Sequence, residues 1–128
     1  MRFWTYVETR EIDQFSVILD WTYEEVPIRD MFDETCYDIE DMERRHNEGI
    51  DTHYIARVRA MYKGREMGCA TLGSCYAHDC DPADDMLSGI CGYLDDMIEE
   101  ALDDARSACV DMLEVLKKDF LGVDTVAN

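Results

Sequence analysis

The feature that most constrains this chain is the spacing of apolar residues in its last third. They recur at steps of three and four, which places them on one side of an α-helix. These residues are Leu87, Cys91, Leu94, Ile98, Ala101, Ala105, Ala108, Met112 and Val115. Asp81 and Pro82 are typical of a helix start. We therefore predict that the segment 81–119 is helical and that one side of it is covered by another surface.

An unbroken helix over 81–119 is too long for a compact chain of 128 residues. At 1.5 Å per residue it would measure about 57 Å, whereas a compact chain of this size has a radius of gyration of about 14 Å. The sequence therefore predicts an interruption, either at Gly89 and Gly92 or at Ser107. If the apolar side were not covered by the same chain, the 87–115 seam would instead suit a coiled coil, and an acidic accessory domain that forms homodimers is the alternative.

The first two thirds of the chain alternate between apolar and polar residues in the manner of strands. The predicted strands are 3–8, 15–21, 52–62 and 67–76, with the polar segment 9–14 and the turn Lys63-Gly64-Arg65 as the hairpin connections. The spacing over 31–46 predicts a helix that stops near Gly49. Together these elements predict a single α+β domain over residues 1–128, in the order β-β-α-β-β-α. A four-stranded, mainly antiparallel sheet would carry both helical segments on one face, with Trp21 in the core.

The polar side of the predicted C-terminal helix is strongly acidic. Six carboxylates stand between positions 95 and 104, and two more precede them: Asp95, Asp96, Glu99, Glu100, Asp103, Asp104, Asp84 and Asp85. No Lys or Arg occurs from position 67 through position 105. Like charges four residues apart each oppose a helix by about 0.2–0.5 kcal/mol, and an ordinary solvated helix would include lysines. We therefore predict that these eight residues contact a partner.

The density of this charge is close to that of a nucleic acid. Six carboxylates over 95–104 span about 13.5 Å, or about one charge per 2.3 Å, and duplex DNA carries about one per 1.7 Å of its axis. The formal net charge of the whole chain is -18. Such a surface repels nucleic acid and anionic membranes. The partner is therefore expected to be basic, such as a protein or complex that itself binds DNA or RNA.

In size, in charge and in the rows Asp95-Asp96, Glu99-Glu100 and Asp103-Asp104, the sequence resembles the small acidic anti-defence proteins of bacteriophages. That group includes DNA mimics that inhibit restriction enzymes and anti-CRISPR proteins that block Cas effectors. The resemblance is one of type, without a shared motif or fold, and covers chiefly residues 81–119. It implies a protein inhibitor without catalytic residues, acting in the cytoplasm of the host cell.

A small metal-binding protein is the second alternative. Its weak candidate ligands are Cys69, Cys75, His78 and Cys80, whose spacing is C-x5-C-x2-H-x-C. Structural zinc sites usually show paired C-x-x-C or C-x-x-H spacings, so we expect ordinary thiols and no bound metal. The chain also lacks a phosphate-binding glycine loop, a dinucleotide fingerprint and an H-E-x-x-H helix. The prediction is a protein that is not an enzyme, without catalytic residues or cofactors.

Localisation follows from what the sequence does not contain. No run approaches the ~18–20 consecutive apolar residues of a membrane span, and the N-terminal residues lack the apolar core of a signal peptide. We therefore expect a cytoplasmic protein whose six cysteines are reduced.

Overall fold

A computed structural model describes residues 2–122, and its centre is a four-stranded antiparallel sheet. The strands are β1 (Thr5–Ile12), β2 (Phe15–Tyr23), β3 (Thr52–Tyr62) and β4 (Arg65–Ala77), each paired with the next in the chain. The helices α1 (Ile28–Met31) and α2 (Ile39–Asn47) connect β2 to β3, and α3 (Pro82–Leu87) and α4 (Tyr93–Leu116) follow β4. The predicted α+β class, the antiparallel sheet and the long C-terminal helix are confirmed.

Both hairpins turn through two residues. In the second, Lys63 and Gly64 have φ values of 48° and 80°, as a type I′ turn requires, and this turn was correctly predicted. The first hairpin turns at Asp13, with φ 55°, and at Gln14. Its first strand is longer than predicted, because residues 9–12, which were assigned to the connection, continue the pairing of β1 with β2.

The core lies between one face of the sheet and α4. Alternate residues of β2 and β3 line that face, namely Phe15, Val17, Leu19, Trp21, Tyr54, Ala56, Val58 and Ala60. The buried residues of α4 are Leu94, Met97, Ile98, Ala101, Leu102 and Ala105. Trp21 is in the core as predicted. The apolar seam is fully buried only as far as Ala105, and Cys109 beyond it is half-buried against the core.

Gly68 of β4 fixes how closely α4 approaches the sheet. A Cβ atom at this position would lie 2.0 Å from the carbonyl oxygen of Ala101 and 2.8 Å from the backbone nitrogen of Ala105. The helix backbone therefore rests directly on the strand, where only glycine leaves enough room. This close contact sets the orientation of the whole first half of α4.

The predicted interruption of the C-terminal helix occurs at the glycine pair. Gly89 and Gly92 have φ values of 102° and 91°, and Ile90 and Cys91 between them are also left-handed. The chain is therefore broken between α3 and α4, whereas α4 continues through Ser107. Asp81 caps α3 as predicted, since its side chain accepts a hydrogen bond from the backbone N–H of Ala83. Past Leu116 the helix continues as a π-helical turn, Lys117–Leu121.

The prediction of one helix over 31–46 is wrong in its first half. Regular helix begins at Ile39, where Asp38 is the N-cap and accepts a hydrogen bond from the backbone N–H of Asp41. Before it, the Asp33 side chain accepts a hydrogen bond from the backbone N–H of Thr35 and holds a turn. Local side-chain bonds to the backbone thus compete successfully with the helix.

The prediction that both helical segments cover the same face of the sheet is also wrong. The ring of Phe32, between α1 and α2, packs 5.6 Å from the ring of His53 and 6.0 Å from that of Tyr76. His53 alternates with Tyr54, whose side chain belongs to the core under α4. The α1–α2 segment therefore packs against the opposite face of the sheet.

Candidate functional site

The six carboxylates of α4 form one continuous exposed surface, which we call the acidic ridge. It consists of Asp95, Asp96, Glu99, Glu100, Asp103 and Asp104, and all six are exposed. Successive helix residues are about 100° apart around the axis, so the six fall within roughly half of the circumference. The six buried residues of the helix occupy the opposite side. The sheet therefore holds the ridge so that it points directly into solvent.

The ridge is largely free of partners within the described chain. Asp103 accepts a hydrogen bond from Arg106 at 3.2 Å, and Arg106 also contacts Asp13 at 3.0 Å. Among residues 2–122, the other five carboxylates of the ridge make no ion pair or side-chain hydrogen bond. Because Arg106 is itself nearly half exposed, its pair with Asp103 contributes little. The charge of the ridge is therefore not neutralised internally.

The helix dipole accounts for only part of this charge. Asp95 and Asp96 lie in the first turn of α4, where a carboxylate is favoured by the positive end of the dipole. The four acids from Glu99 to Asp104 lie beyond that turn, where the dipole no longer helps them. Their mutual repulsion is a cost to the fold, and the described contacts offer no compensation except at Asp103.

Two carboxylates of α3 were predicted to contact a partner, and one of them instead forms a hydrogen bond within the molecule. Asp85 is half-buried and accepts a hydrogen bond from the hydroxyl of Tyr54 at 2.5 Å. Burial, followed by this hydrogen bond, raises the pKa of Tyr54 well above its usual value. Asp84 is exposed in the first turn of α3 and lies five residues before the break at Gly89. Asp84 therefore remains a candidate for partner contact, and Asp85 joins α3 to the core.

Two basic residues of β3 are used inside the molecule. Asp20 of β2 is 3% exposed and accepts hydrogen bonds from Arg57 at 2.6 and 2.8 Å and from Arg59 at 3.2 Å. The guanidinium group of Arg57 also stacks on the ring of Trp4. These residues lie on the face of the sheet opposite α4. Arg57 and Arg59 are thus committed to Asp20 and do not approach the ridge.

A second buried carboxylate secures the other end of the sheet. Asp51 is 2% exposed and accepts hydrogen bonds from Arg45, from the hydroxyl of Tyr76 and from the backbone N–H of Asp79. Burial alone would raise the pKa of Asp51, but these donors outweigh it and hold the pKa well below the usual value. This cluster connects α2, β4 and the loop before α3, and it serves the fold.

The predicted metal candidates are not assembled into a site. In the described part of the chain, no three His, Cys, Asp or Glu side chains are grouped so that they could hold a metal ion. Cys75 is in the core, Cys69 is on the opposite face of β4, and His78 is exposed with its Nδ1 atom 3.5 Å from Asp51. Burial raises the pKa of Cys75 to about 11. A protonated, buried thiol is neither a ready metal ligand nor a nucleophile.

Asp20, Asp51 and Gly68 were not identified from the sequence. The two aspartates belong to ordinary acidic stretches, and their arginine or tyrosine donors are 6 to 39 residues away in the chain. Gly68 follows Met67 at the start of a predicted strand. A glycine inside a strand is a signal for close backbone approach, and that signal was available at this position.

Comparison of the chain with protein-family models, with curated proteins and with solved structures finds no match. Within residues 2–122, no helix combines the length and the apolar character needed to cross a membrane. A function must therefore be inferred from the residue chemistry and the geometry of this chain.

Proposed function

We propose that the protein is a non-enzymatic inhibitor that acts as a nucleic-acid mimic. In this proposal the acidic ridge enters the basic site of a DNA- or RNA-binding defence enzyme, such as a CRISPR-Cas effector or a restriction enzyme. Asp84, which is exposed on α3, is a further candidate contact in this proposal. The observation that carries the proposal is the exposure of six carboxylates on the side of α4 opposite its buried face, five of them without a partner in the described chain.

The arrangement of the ridge supports recognition by a surface of Arg and Lys. The carboxylates form two rows, one with Asp95, Glu99 and Asp103 and the other with Asp96, Glu100 and Asp104. Within each row neighbouring Cα positions are about 6 Å apart along the axis. Because α4 is held against the sheet at Gly68, the rows are presented without a large ordering cost on binding. A rigid anionic track suits a channel that normally holds a phosphate backbone.

Charge also favours rapid capture of such a target. With a net charge of -18, the protein attracts a basic surface over distances comparable with the Debye length, about 10 Å at 0.1 M salt. Complementary charge raises the association rate more than it raises the final affinity. Binding of the proposed kind is therefore expected to weaken steeply as salt increases.

The test is a set of three baits, each used to capture proteins from a nuclease-treated bacterial lysate at low salt. One bait is the natural chain, and the second carries Glu99→Lys, Glu100→Lys and Asp104→Lys, three ridge positions without internal partners. The third is matched in net charge and carries Asp30→Lys, Glu34→Lys and Glu40→Lys, at exposed sites outside α4. Mass spectrometry identifies the proteins that are released as salt is raised.

Nucleic-acid-binding enzymes captured by the natural chain and by the matched control, and absent from the ridge variant, would support the proposal. A captured enzyme should also lose its activity on DNA or RNA when the natural chain is added in stoichiometric amount. Equal capture by the ridge variant would contradict the proposal, since the ridge would then not be the contact surface. Equal losses in both variants would show that total charge matters and that the ridge does not.

A further inference from the structure

The outer edge of β4 has no strand beside it in the described chain. The strand order is β1-β2-β3-β4, so among residues 2–122 β4 pairs with β3 on one side only. A row of backbone N–H and C=O groups therefore lies along its other side without a neighbouring strand. An edge of this kind can accept an extended segment of another chain through backbone hydrogen bonds. β1 is the other edge strand, but the surroundings of β4 add a binding groove to its edge.

A groove of about 630 Å³ lies at this edge, near the end of β4. We call it the edge groove. Leu72 and Cys75 in its wall pack toward the core, whereas Tyr76, which pairs with His53, is on the opposite face of the strand. Because β3 occupies the other side of β4, a single groove can contact both faces only around the free edge. The edge groove therefore follows the backbone groups to which an added strand would bond.

Side chains from the helical segments on both faces of the sheet form the walls of the edge groove. They are Phe32, Tyr37 and Met42 from the segment between β2 and β3, and Ile90, Cys91 and Tyr93 from the break before α4 and its first residue. Tyr37 is 50% exposed and Tyr93 is 55% exposed. Successive side chains of an extended peptide point to opposite faces. Its alternate apolar side chains would therefore meet two apolar walls.

The strand is bulged inside the edge groove. Gly73 and Ser74 lie opposite the single residue Ile55, and Ser74 has a left-handed φ of 57°. A bulge interrupts the row of N–H and C=O groups and protects an edge against unlimited extension of the sheet. Only a short stretch of backbone pairing is then possible at this end of β4. The side-chain walls must therefore supply much of the affinity for a bound segment.

The charge around the edge groove is negative and is continuous with the acidic ridge. Asp85 lines the groove, and its lining residues include no Lys or Arg. From Tyr93, steps of three, four and four along α4 lead to one row of the ridge, namely Asp96, Glu100 and Asp104. Residues at these steps share one side of a helix, so a wall of the groove and this row of carboxylates lie in line. A segment bound in the groove is therefore favoured if it carries Lys or Arg.

We propose that an extended, basic segment of the target adds to the free edge of β4 and places alternate apolar side chains in the edge groove. The inference rests on the proposed function, because it assigns this segment to the same basic target that receives the acidic ridge. The ridge supplies a contact that salt screens. Backbone hydrogen bonds and apolar burial in the groove supply a second contact that depends less on salt.

The experiment uses a synthetic probe, the peptide acetyl-Lys-Val-Lys-Val-Lys-Val-amide, titrated into the full chain and followed by NMR. Valine favours an extended backbone. The matched control is the same peptide with every backbone amide N-methylated, which keeps its charge and side chains but removes its N–H donors. The first peptide should shift the amide signals of the groove residues 72–76, and the N-methylated form should bind at least about tenfold more weakly. Equal binding of the two peptides would overturn the proposal, because attraction of lysine to the net charge of -18 would then account for it.

Variants of the protein test the location of the bound segment. Tyr37→Ala with Tyr93→Ala removes one ring from each wall and should weaken binding of the first peptide by at least about tenfold. Tyr6→Ala, at a ring on β1 that is 62% exposed, is the control and should leave binding unchanged. All three rings are exposed, so thermal unfolding should show that the variants are folded.

Absence of binding by the first peptide, or unchanged binding in the variant without Tyr37 and Tyr93, would overturn the proposal. Either result would leave the proposed function standing, because capture from the lysate is compared at ridge positions alone. Conversely, equal capture by the ridge variant would remove the proposed function while binding of the peptide at the edge of β4 could still be measured.

Discussion

The hydroxyl group of Tyr54 joins β3 to α3 through a part-buried hydrogen bond. Tyr54 is fully buried, and its hydroxyl donates to Asp85 at 2.5 Å. Tyr54→Phe removes this bond to a charged group without changing the packing, so we expect a loss of roughly 1–3 kcal/mol in the free energy of unfolding. Urea denaturation measures this change in the free energy of unfolding. Tyr93→Phe, at a ring that is 55% exposed, is the control and should change stability by less than about 0.5 kcal/mol.

Asp51 should make the fold sensitive to acid. Its pKa in the folded protein is held below the unfolded value by Arg45, Tyr76 and the N–H of Asp79, despite burial. A depressed folded pKa stabilises the protein above the unfolded pKa of about 3.9, and this stability is lost as pH falls through the folded pKa. Asp51→Asn should therefore cost roughly 2–3 kcal/mol at neutral pH.

The difference between the natural chain and Asp51→Asn should shrink steadily below about pH 4. Unfolding by urea at several pH values measures this. Asp111→Asn, at an exposed carboxylate, should show no comparable dependence on pH. A difference for Asp51→Asn that stays constant down to pH 2 would mean that the carboxylate is not held in its charged form by these three donors.

At the scale of elements, the contact between β4 and α4 depends on a single missing side chain. Gly68→Ala would place a Cβ atom 2.0 Å from the carbonyl oxygen of Ala101. Since the obstruction is helix backbone, the helix must move away from the strand, and we expect a loss of about 3 kcal/mol or more. Gly73→Ala, on the same strand, meets only the Glu24 side chain at 3.2 Å and should cost less than about 1 kcal/mol. Thermal unfolding compares the two.

The elements also show which sequence signals were sufficient. Alternation in β2 and β3 was enough to place Trp21 in the core, because one face of each strand is continuously apolar. The glycines at 89 and 92 marked the break in the C-terminal helix, because left-handed backbone favours glycine. The segment before Ile39 was misjudged, since the helical spacing of Phe32 and Cys36 was outweighed by turn and cap hydrogen bonds at Asp33 and Asp38. The spacing of apolar residues carries no information about such hydrogen bonds between a side chain and the nearby backbone.

In the candidate site, too, some features could be predicted from the sequence and others could not. Exposure of the six ridge carboxylates followed from the apolar spacing of α4, because burying one side of a helix necessarily exposes the other. The internal role of Asp85 could not be predicted, because its donor Tyr54 is 31 residues away in the chain. The extent of the covered seam depended on the length of the sheet beneath it, which no pattern within the helix itself encodes.

At the scale of the whole molecule, the excess of negative charge should oppose folding in a way that salt relieves. Self-repulsion destabilises the compact state, and exposed charges are screened as salt increases. We therefore expect the thermal unfolding temperature of the natural chain to rise with sodium chloride. Repulsion is strongest where carboxylates are closest, so the acidic ridge should account for a disproportionate part of this rise.

Two variants, each with three carboxylates replaced by neutral amides and hence a net charge of about -15, test whether the repulsion is concentrated on the ridge. Glu99→Gln with Glu100→Gln and Asp104→Asn relieves four like-charge pairs on one helix, and should stabilise the protein by about 1–2 kcal/mol at low salt. Asp30→Asn with Glu34→Gln and Glu40→Gln removes the same charge from exposed sites outside α4 and should stabilise it less. The difference should disappear in 1 M salt, where the Debye length is about 3 Å. Equal gains in the two variants would mean that the ridge carries no special cost, and would remove the reason for supposing that these carboxylates are kept for a partner.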